Sequence, residues 1–323
     1  MSQKAKFFYK ANEYLDQRDY KQAIENYTEA IKIDNGFKDA FNNRGIALYE
    51  QGKYFEAIND YSAAIRIDSH YTDAYFNRAN VYIENKSWKR ALKDMLLVEK
   101  AYSDTAEVYF NLGIIYSGLQ NFEASLAAFD KAQMLDGNNP ETYINRANVY
   151  YFLNDWNKAL NDLVLALDID HDQPNAYNLE GLIALKTDEF STSLSSFNKA
   201  LQYDPNNPFF LNNRGLAFLL LGDFENAKRD IDKSILLDSR NAWAYRNKGI
   251  YHFMLGNFED AKRLLEKAFS MDDSLEEIYF YLGSTYLKLK ENNASCNMFD
   301  KGKIKDCQRC HELWLKFCQN QVN

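Results

Sequence analysis

The sequence predicts an all-α fold built as a stack of helical hairpins, on three observations. Steps of 34 from Lys4 give frames starting at Lys4, Lys38, Thr72, Ala106, Pro140, Pro174, Pro208, Ala242 and Glu276, nine frames without an insertion or deletion. The eighth position of every frame is glycine or alanine, from Ala11 and Gly45 to Gly249 and Gly283. The twentieth is alanine or serine, from Ala23 to Ser295. Small side chains at two fixed places let two helix axes approach closely, so each frame holds two packed helices.

Within a frame, apolar residues recur three and four apart in two segments. The first carries a bulky residue at position 4, as in Phe7, Phe41 and Tyr75, and the second one at position 24, as in Tyr27, Tyr61 and Phe129. An aromatic stands at position 17 in eight of nine frames, Asn292 being the exception. The segments are broken near position 15, by Gly52, Gly222 or Gly256 in three frames and by polar residues elsewhere. Aspartate at position 31, as in Asp34, Asp68 and Asp306, marks the link to the next hairpin, with Tyr102 in its place in the third frame. Pro140, Pro174, Pro205 and Pro208 all fall at frame junctions, where a helix starts or a turn runs.

Arginine at position 7 (Arg44, Arg78, Arg146, Arg214) coincides with aspartate at position 23 (Asp60, Asp94, Asp162, Asp230), and the other five frames have neither. The coincidence predicts an ion pair between the two helices of a hairpin, because an unpaired arginine near the core is costly. After the ninth frame, Cys307, Cys310, Leu313, Trp314, Phe317 and Cys318 fall near one side of a further helix, a capping helix over about 307–320.

These residues resemble the tetratricopeptide repeat family from Lys4 to about Gln308. The resemblance implies a right-handed superhelical solenoid of helix–turn–helix units, one array over 1–323 with repeats 4–37, 38–71, 72–105, 106–139, 140–173, 174–207, 208–241, 242–275 and 276–309. Departures are informative. The family's proline at position 32 is present only as Pro205, and Asn292 and Gly302 replace an aromatic and a small nonglycine residue, which predicts a less rigid last hairpin. Val98, Glu99 and Tyr102 predict a local change of stacking in the third frame.

A net charge of −8 and a pI near 5.2 argue against a nucleic-acid partner, which needs lysine and arginine gathered on one face. No apolar run is long enough for a membrane span, and the first fifteen residues carry charges where a signal peptide has its apolar core. A cytoplasmic protein is expected. Phosphate-cradling glycine loop, HExxH and nucleophile elbow are all lacking, and the four histidines fall in separate frames, so neither catalysis nor a cofactor is expected. Asp168, Asp170 and Asp172 imitate a calcium loop, but Gln173 and Leu179 stand where glycine and glutamate are needed, and a turn is predicted instead. The four cysteines read first as free thiols packed in the capping helix. A zinc site drawing on Cys296, Cys307, Cys310, His311 or Cys318 is one alternative, and covalent haem attachment through Cys307, Cys310 and His311 another.

In the family, positions 2, 5, 6, 9 and 12 of the first helix line the concave face. Carried over, position 6 supplies Asn43, Asn77, Asn111, Asn145, Asn213 and Asn247. A carboxamide can pair with both the N–H and the C=O of an extended peptide, and the row resembles the asparagine ladder of long family members such as O-GlcNAc transferase. The alternative is that these amides satisfy neighbouring backbone or one another between hairpins. Positions 5, 9 and 12 supply Phe76, Phe110, Leu182, Leu216, Leu219, Ile250 and Phe253, a stripe that predicts an exposed apolar patch. Asp39, Asp73, Glu107, Glu141 and Glu277 at position 2, with Arg246 as the one basic lining residue, favour another protein's apolar or basic segment as partner. The family's carboxylate-clamp mode is not expected: Asn12 and Asn43 match its asparagines, but Phe8, Asp73 and Asn77 replace its cations. The chain therefore reads as a protein-binding adaptor or scaffold. Its alternatives are an assembly protein that self-associates through Phe7 and Phe8 at one end and Trp314 and Phe317 at the other, or a scaffold with a zinc-bound cap.

Overall fold

The computed structural model describes residues 1–275 and 277–319, and every regular element among them is a helix. Glu276, the first residue of the ninth frame, and residue 320, the end of the expected capping helix, lie outside the described residues. The chain forms two compact units, Met1–Ile169 and Asp170–Asn323. The first holds five hairpins: α1 Gln3–Asp16 with α2 Tyr20–Ile33, α3 Lys38–Glu50 with α4 Tyr54–Ile67, α5 Thr72–Glu84 with α6 Trp88–Ala101, α7 Ala106–Gly118 with α8 Phe122–Leu135, and α9 Pro140–Phe152 with α10 Trp156–Ile169. The second holds α11 Pro174–Lys186 with α12 Phe190–Tyr203, α13 Pro208–Leu220 with α14 Phe224–Leu237, α15 Ala242–Met254 with α16 Phe258–Met271, α17 Ile278–Lys288 with α18 Asn292–Ile304, and a last helix, α19 Gln308–Phe317.

The frame sets the boundaries. Position 17 is the first residue of the second helix in every hairpin, from Tyr20 to Asn292. Position 15 adopts the left-handed conformation in every hairpin, not only at Gly52, Gly222 and Gly256 but also at Arg18, Lys86, Gln120, Asn154, Asp188 and Lys290. The next N–H then reaches back to a carbonyl five residues earlier, as from Lys53 to Leu48 at 2.9 Å and from Asn121 to Tyr116 at 2.9 Å, the bond that closes a helix C-terminus around a left-handed residue. The link aspartates act as expected. Asp34 and Asp68 end α2 and α4 in extended backbone and accept from the N–H two residues on, Gly36 and His70, at 2.9 Å each. Asp170 does the same for Asp172 at 2.9 Å, the turn expected of the false calcium loop. Tyr102 replaces this turn with a hydroxyl that donates to Asp73 at 2.9 Å.

Inside a hairpin, position 8 is the seat of the position-24 side chain. A Cβ on Gly113 would lie 2.5 Å from the Phe129 ring, and one on Gly45 2.6 Å from Tyr61. Where position 20 is serine, its hydroxyl donates to the carbonyl of that same glycine: Ser125 to Gly113 at 2.7 Å, Ser193 to Gly181 and Ser295 to Gly283 at 2.9 Å. The predicted ion pairs form in all four hairpins, each as a two-pronged contact between guanidinium and carboxylate, for instance Arg78 to Asp94 at 2.7 and 2.9 Å. The third prong of each arginine reaches position 25 of the preceding hairpin: Arg44 to Thr28 at 3.0 Å, Arg78 to Ser62 at 2.8 Å, Arg146 to Asp130 at 2.6 Å and Arg214 to Asn198 at 2.9 Å. The pairs therefore fasten neighbouring hairpins as well as the helices of one.

The C-terminal end departs from expectation in two ways. Asp306 is not a link aspartate in extended backbone: it is left-handed, with φ of 60°, and Cys307 N–H bonds Gly302 O at 3.0 Å, so α19 follows α18 through the turn used inside hairpins. The cysteines are not free thiols. Cys296 is bonded to Cys318 and Cys307 to Cys310, and among the described residues no cysteine is free and no cluster could hold a metal ion. Sulfurs bound to each other have no thiolate to give zinc and no thiol to add to haem. The capping helix itself is present. Cys310 is fully buried, and Leu313 and Trp314 pack on the cluster of Tyr279, Leu282 and Phe299. Gly302, an anomaly in the repeat pattern, is its seat, since a Cβ there would lie 2.5 Å from the Cys310 sulfur.

Candidate functional site

The asparagines expected to grip a backbone bond one another. In the first unit, Asn77 donates to Asn42 at 3.0 Å, Asn42 to Asn43 at 3.2 Å, and Asn43 to Asn12 at 3.2 Å, where the Tyr27 hydroxyl also donates at 2.6 Å. The second unit repeats the chain of bonds: Asn247 to Asn212 at 2.8 Å, Asn212 to Asn213 at 3.3 Å, Asn213 to Asn178 at 2.9 Å. Asn111 donates to Asn80 at 3.0 Å. Five of the six position-6 amides thus find a carboxamide at position 5 or 9 of the preceding hairpin. Asn145 follows a frame with Phe110 and Ile114 at those positions and donates instead within α9, to Glu141 O at 2.8 Å. Carboxamides joined in series polarise one another, and such a network orders the stack of first helices.

The apolar stripe divides by depth. Phe76 and Phe110 are half-buried in the first unit, Phe110 edge-on to Phe129 with ring centres 6.1 Å apart. Leu182, Leu216 and Phe253 are half-buried in the second. Leu219 and Ile250, expected in the same stripe, are core: both are at most 2% exposed, in one cluster with Ala227 and Ile231 against which Tyr281 of α17 packs. Asn247 has no exposed surface. Position 12 of α13 and position 9 of α15 are covered because the next first helix lies over them. Arg246 is also buried, held to Asn247 Oδ1 at 2.8 Å and stacked 4.6 Å over Trp243.

Position 2 stays at the surface. In the first unit it holds Asp39, Asp73, Glu107 and Glu141, all exposed or half-exposed. In the second, Phe209 and Trp243 occupy it on α13 and α15, and they are 52% and 39% exposed. In the sequence, position 2 stands out for its acids, and these two rings are not among the residues expected at the site. Their signal was an aromatic at the first turn of a helix, where nothing within the hairpin asks for one. An open cleft of about 570 Å³ also lies at the turns of the second and third hairpins, lined by Tyr54, Phe55, Ile58, Tyr82 and Arg90.

No curated protein matches the chain. Among solved structures, Cut9 in the APC/C hetero-tetramer Cut9–Hcn1 superposes with a TM-score of 0.70 at 13% identity, covering 92% of this chain and 59% of that one. The chain thus spans less than two thirds of that relative. MamA from Desulfovibrio magneticus RS-1 gives 0.51 at 21% identity over 54% of this chain and 98% of that one, and yeast Tom70 gives 0.50 at 13% identity over 99% and 96%. At these identities the likeness is one of fold. Family models described as TPR repeat match residues 11–52 and 45–86, and models described as tetratricopeptide repeat match 106–139, 174–207, 196–229 and 241–271. With helical hairpins in the same phase and matches over more than half its length, the chain belongs to the tetratricopeptide repeat family.

Proposed function

We propose that this protein is a non-enzymatic adaptor or scaffold that holds an apolar or basic segment of another protein along its first helices. The observation that carries the proposal is the pair Phe209 and Trp243, exposed at one register on neighbouring helices α13 and α15. Exposed aromatic area of this kind is what a partner's apolar side chain covers, and rings lose little conformational freedom on binding. Half-buried Leu182, Leu216 and Phe253 would extend the contact within that unit, and Phe76 and Phe110 would serve the first. The position-2 carboxylates would favour lysine or arginine in the bound segment and disfavour acidic ones. Asn145, whose amide is not spent on a neighbouring hairpin, is the asparagine best suited to a backbone contact. We keep the reading of one nine-repeat array because the 34-residue phase crosses residue 169 without insertion. We also keep a cytoplasmic setting, where disulfides are of the redox-labile kind.

Selection from a library of displayed twelve-residue peptides tests this. The wild type should enrich apolar and basic sequences, and Phe209→Ala with Trp243→Ala should weaken the selected peptides about tenfold while the thermal melt stays in place. Acidic peptides among the winners, or affinities indifferent to the two rings, would sink the proposal. Self-association through the ends remains the second reading, with Phe317 40% exposed at one of them, while Phe7 and Phe8 pack against the core beside Tyr27 and Lys303 lies 3.4 Å over the Trp314 ring.

A further inference from the structure

We propose that the Cys307–Cys310 bridge is a thiol–disulfide exchange site that a dithiol enters through Cys307, and that the Cys296–Cys318 bridge keeps α19 seated while the first is open. The proposal stands apart from the peptide-binding face. Four observations carry it. Within the short bridge Cys307 is only half-buried whereas Cys310 has no exposed surface, so an incoming thiol has access from the Cys307 side alone. Cys307 is the N-cap of α19 and its sulfur accepts the Cys310 N–H at 3.2 Å, so the free N–H groups and the helix dipole favour Cys307 as the sulfur displaced in the second step. The two bridges close loops of different span, 3 residues against 22, and the constraint a bridge imposes grows with its loop. Finally, the short bridge ties α19 only to its own N-cap, whereas Cys296 in α18 and Cys318 at the end of α19 join two elements.

The exchange balances without another reagent. A thiolate of the dithiol attacks Cys307 Sγ, the sulfur–sulfur electron pair leaves with Cys310, and the Cys310 thiolate takes up a proton. The dithiol's second sulfur then displaces Cys307, which leaves as a thiol. The dithiol becomes a disulfide, and the protein gains two electrons and two protons at Cys307 and Cys310. Through this step α19 keeps its other anchors: the Gly302 seat, Arg309 bonded to Glu277 at 2.6 Å and stacked 3.4 Å over Phe280, and the long bridge. Opening the long bridge as well releases the helix and uncovers Tyr279, Leu282 and Phe299.

Titrating the full chain, prepared in air, with dithiothreitol tests the order. Thiols are trapped by alkylation and mapped by peptide mass, and amide hydrogen exchange is followed over residues 308–317. The expected result is alkylation of Cys307 and Cys310 first, with protection of 308–317 retained, and then alkylation of Cys296 and Cys318 with exchange at least tenfold faster. The Cys307→Ser, Cys310→Ser variant should keep that protection within twofold. Cys296→Ser with Cys318→Ser should lose it without reductant, and if this second variant does not fold, the first decides. No bridges in the air-prepared protein, release of Cys296 and Cys318 first or together with the short pair, or loss of protection at the first step would overturn the proposal.

Discussion

Four arginines in this fold meet an aspartate of their own repeat, and Arg146 shows what losing that partner costs. Its guanidinium bonds Asp162 on two prongs and Asp130 on a third, and these bonds, Asp162 first, push its pKa above the usual arginine range. Asp162 is only 4% exposed, so Arg146→Met would leave a carboxylate in the core with nothing to neutralise it. Loss of about 3–5 kcal/mol is expected in urea unfolding, and adding Asp162→Leu should recover most of it, because two apolar residues need no partner. His252 makes the opposite case. Burial is the main cause holding its pKa below 6.5, and its Nδ1 has no hydrogen-bond partner. The folded protein keeps it neutral while the unfolded chain protonates more readily. Stability is therefore full above pH 6.5 and falls as pH drops from there toward the lower folded value. His252→Gln should flatten that decline in thermal melts between pH 7 and pH 5, and an unchanged slope would assign it to other groups.

At the scale of the element, the hairpin turn is set by position 15 and not by which residue stands there. Six of the nine turns place a residue with a side chain in the left-handed region, at about 1 kcal/mol each. Gln120→Gly should therefore stabilise by up to about 1 kcal/mol and Gly222→Ala should destabilise by a similar amount, read as opposite shifts of the thermal midpoint. Such turns were legible because three glycines mark the place and the phase carries it to the other frames. The ion pairs were legible for the same reason, as a coincidence of two residues sixteen apart. What escaped was any partner with a variable address. The acceptor for a position-6 asparagine stands at position 5 in Asn42, Asn178 and Asn212 but at position 9 in Asn12 and Asn80, so no single column of the repeat displays it. Depth escaped as well. Leu219 and Leu216 look alike in one frame, and only the helix laid over α13 separates a core leucine from a half-buried one.

For the whole molecule, the repeat implies that disturbance travels by neighbours. Within each unit the helices pack chiefly on their hairpin partners and on adjoining hairpins, so stability is close to a sum of local terms and interfaces. Gly113→Val gives a direct test. Its added Cβ alone would stand 2.5 Å from the Phe129 ring and 2.6 Å from a second ring atom, in a hairpin whose Ser125 also needs the Gly113 carbonyl where it is. Overpacking of that kind costs about 1–3 kcal/mol or more, and the ring cannot retreat, since Phe129 has no exposed surface. Amide exchange should accelerate most in α7 and α8, less in α5, α6, α9 and α10, and not measurably in α15 to α18. A globular core of this length would spread the loss over every helix, and uniform acceleration would show that the units behave as one cooperative body. A graded response would show instead why the chain tolerates such different surfaces from frame to frame: a residue at position 2 can change from aspartate to tryptophan without consulting a hairpin three repeats away.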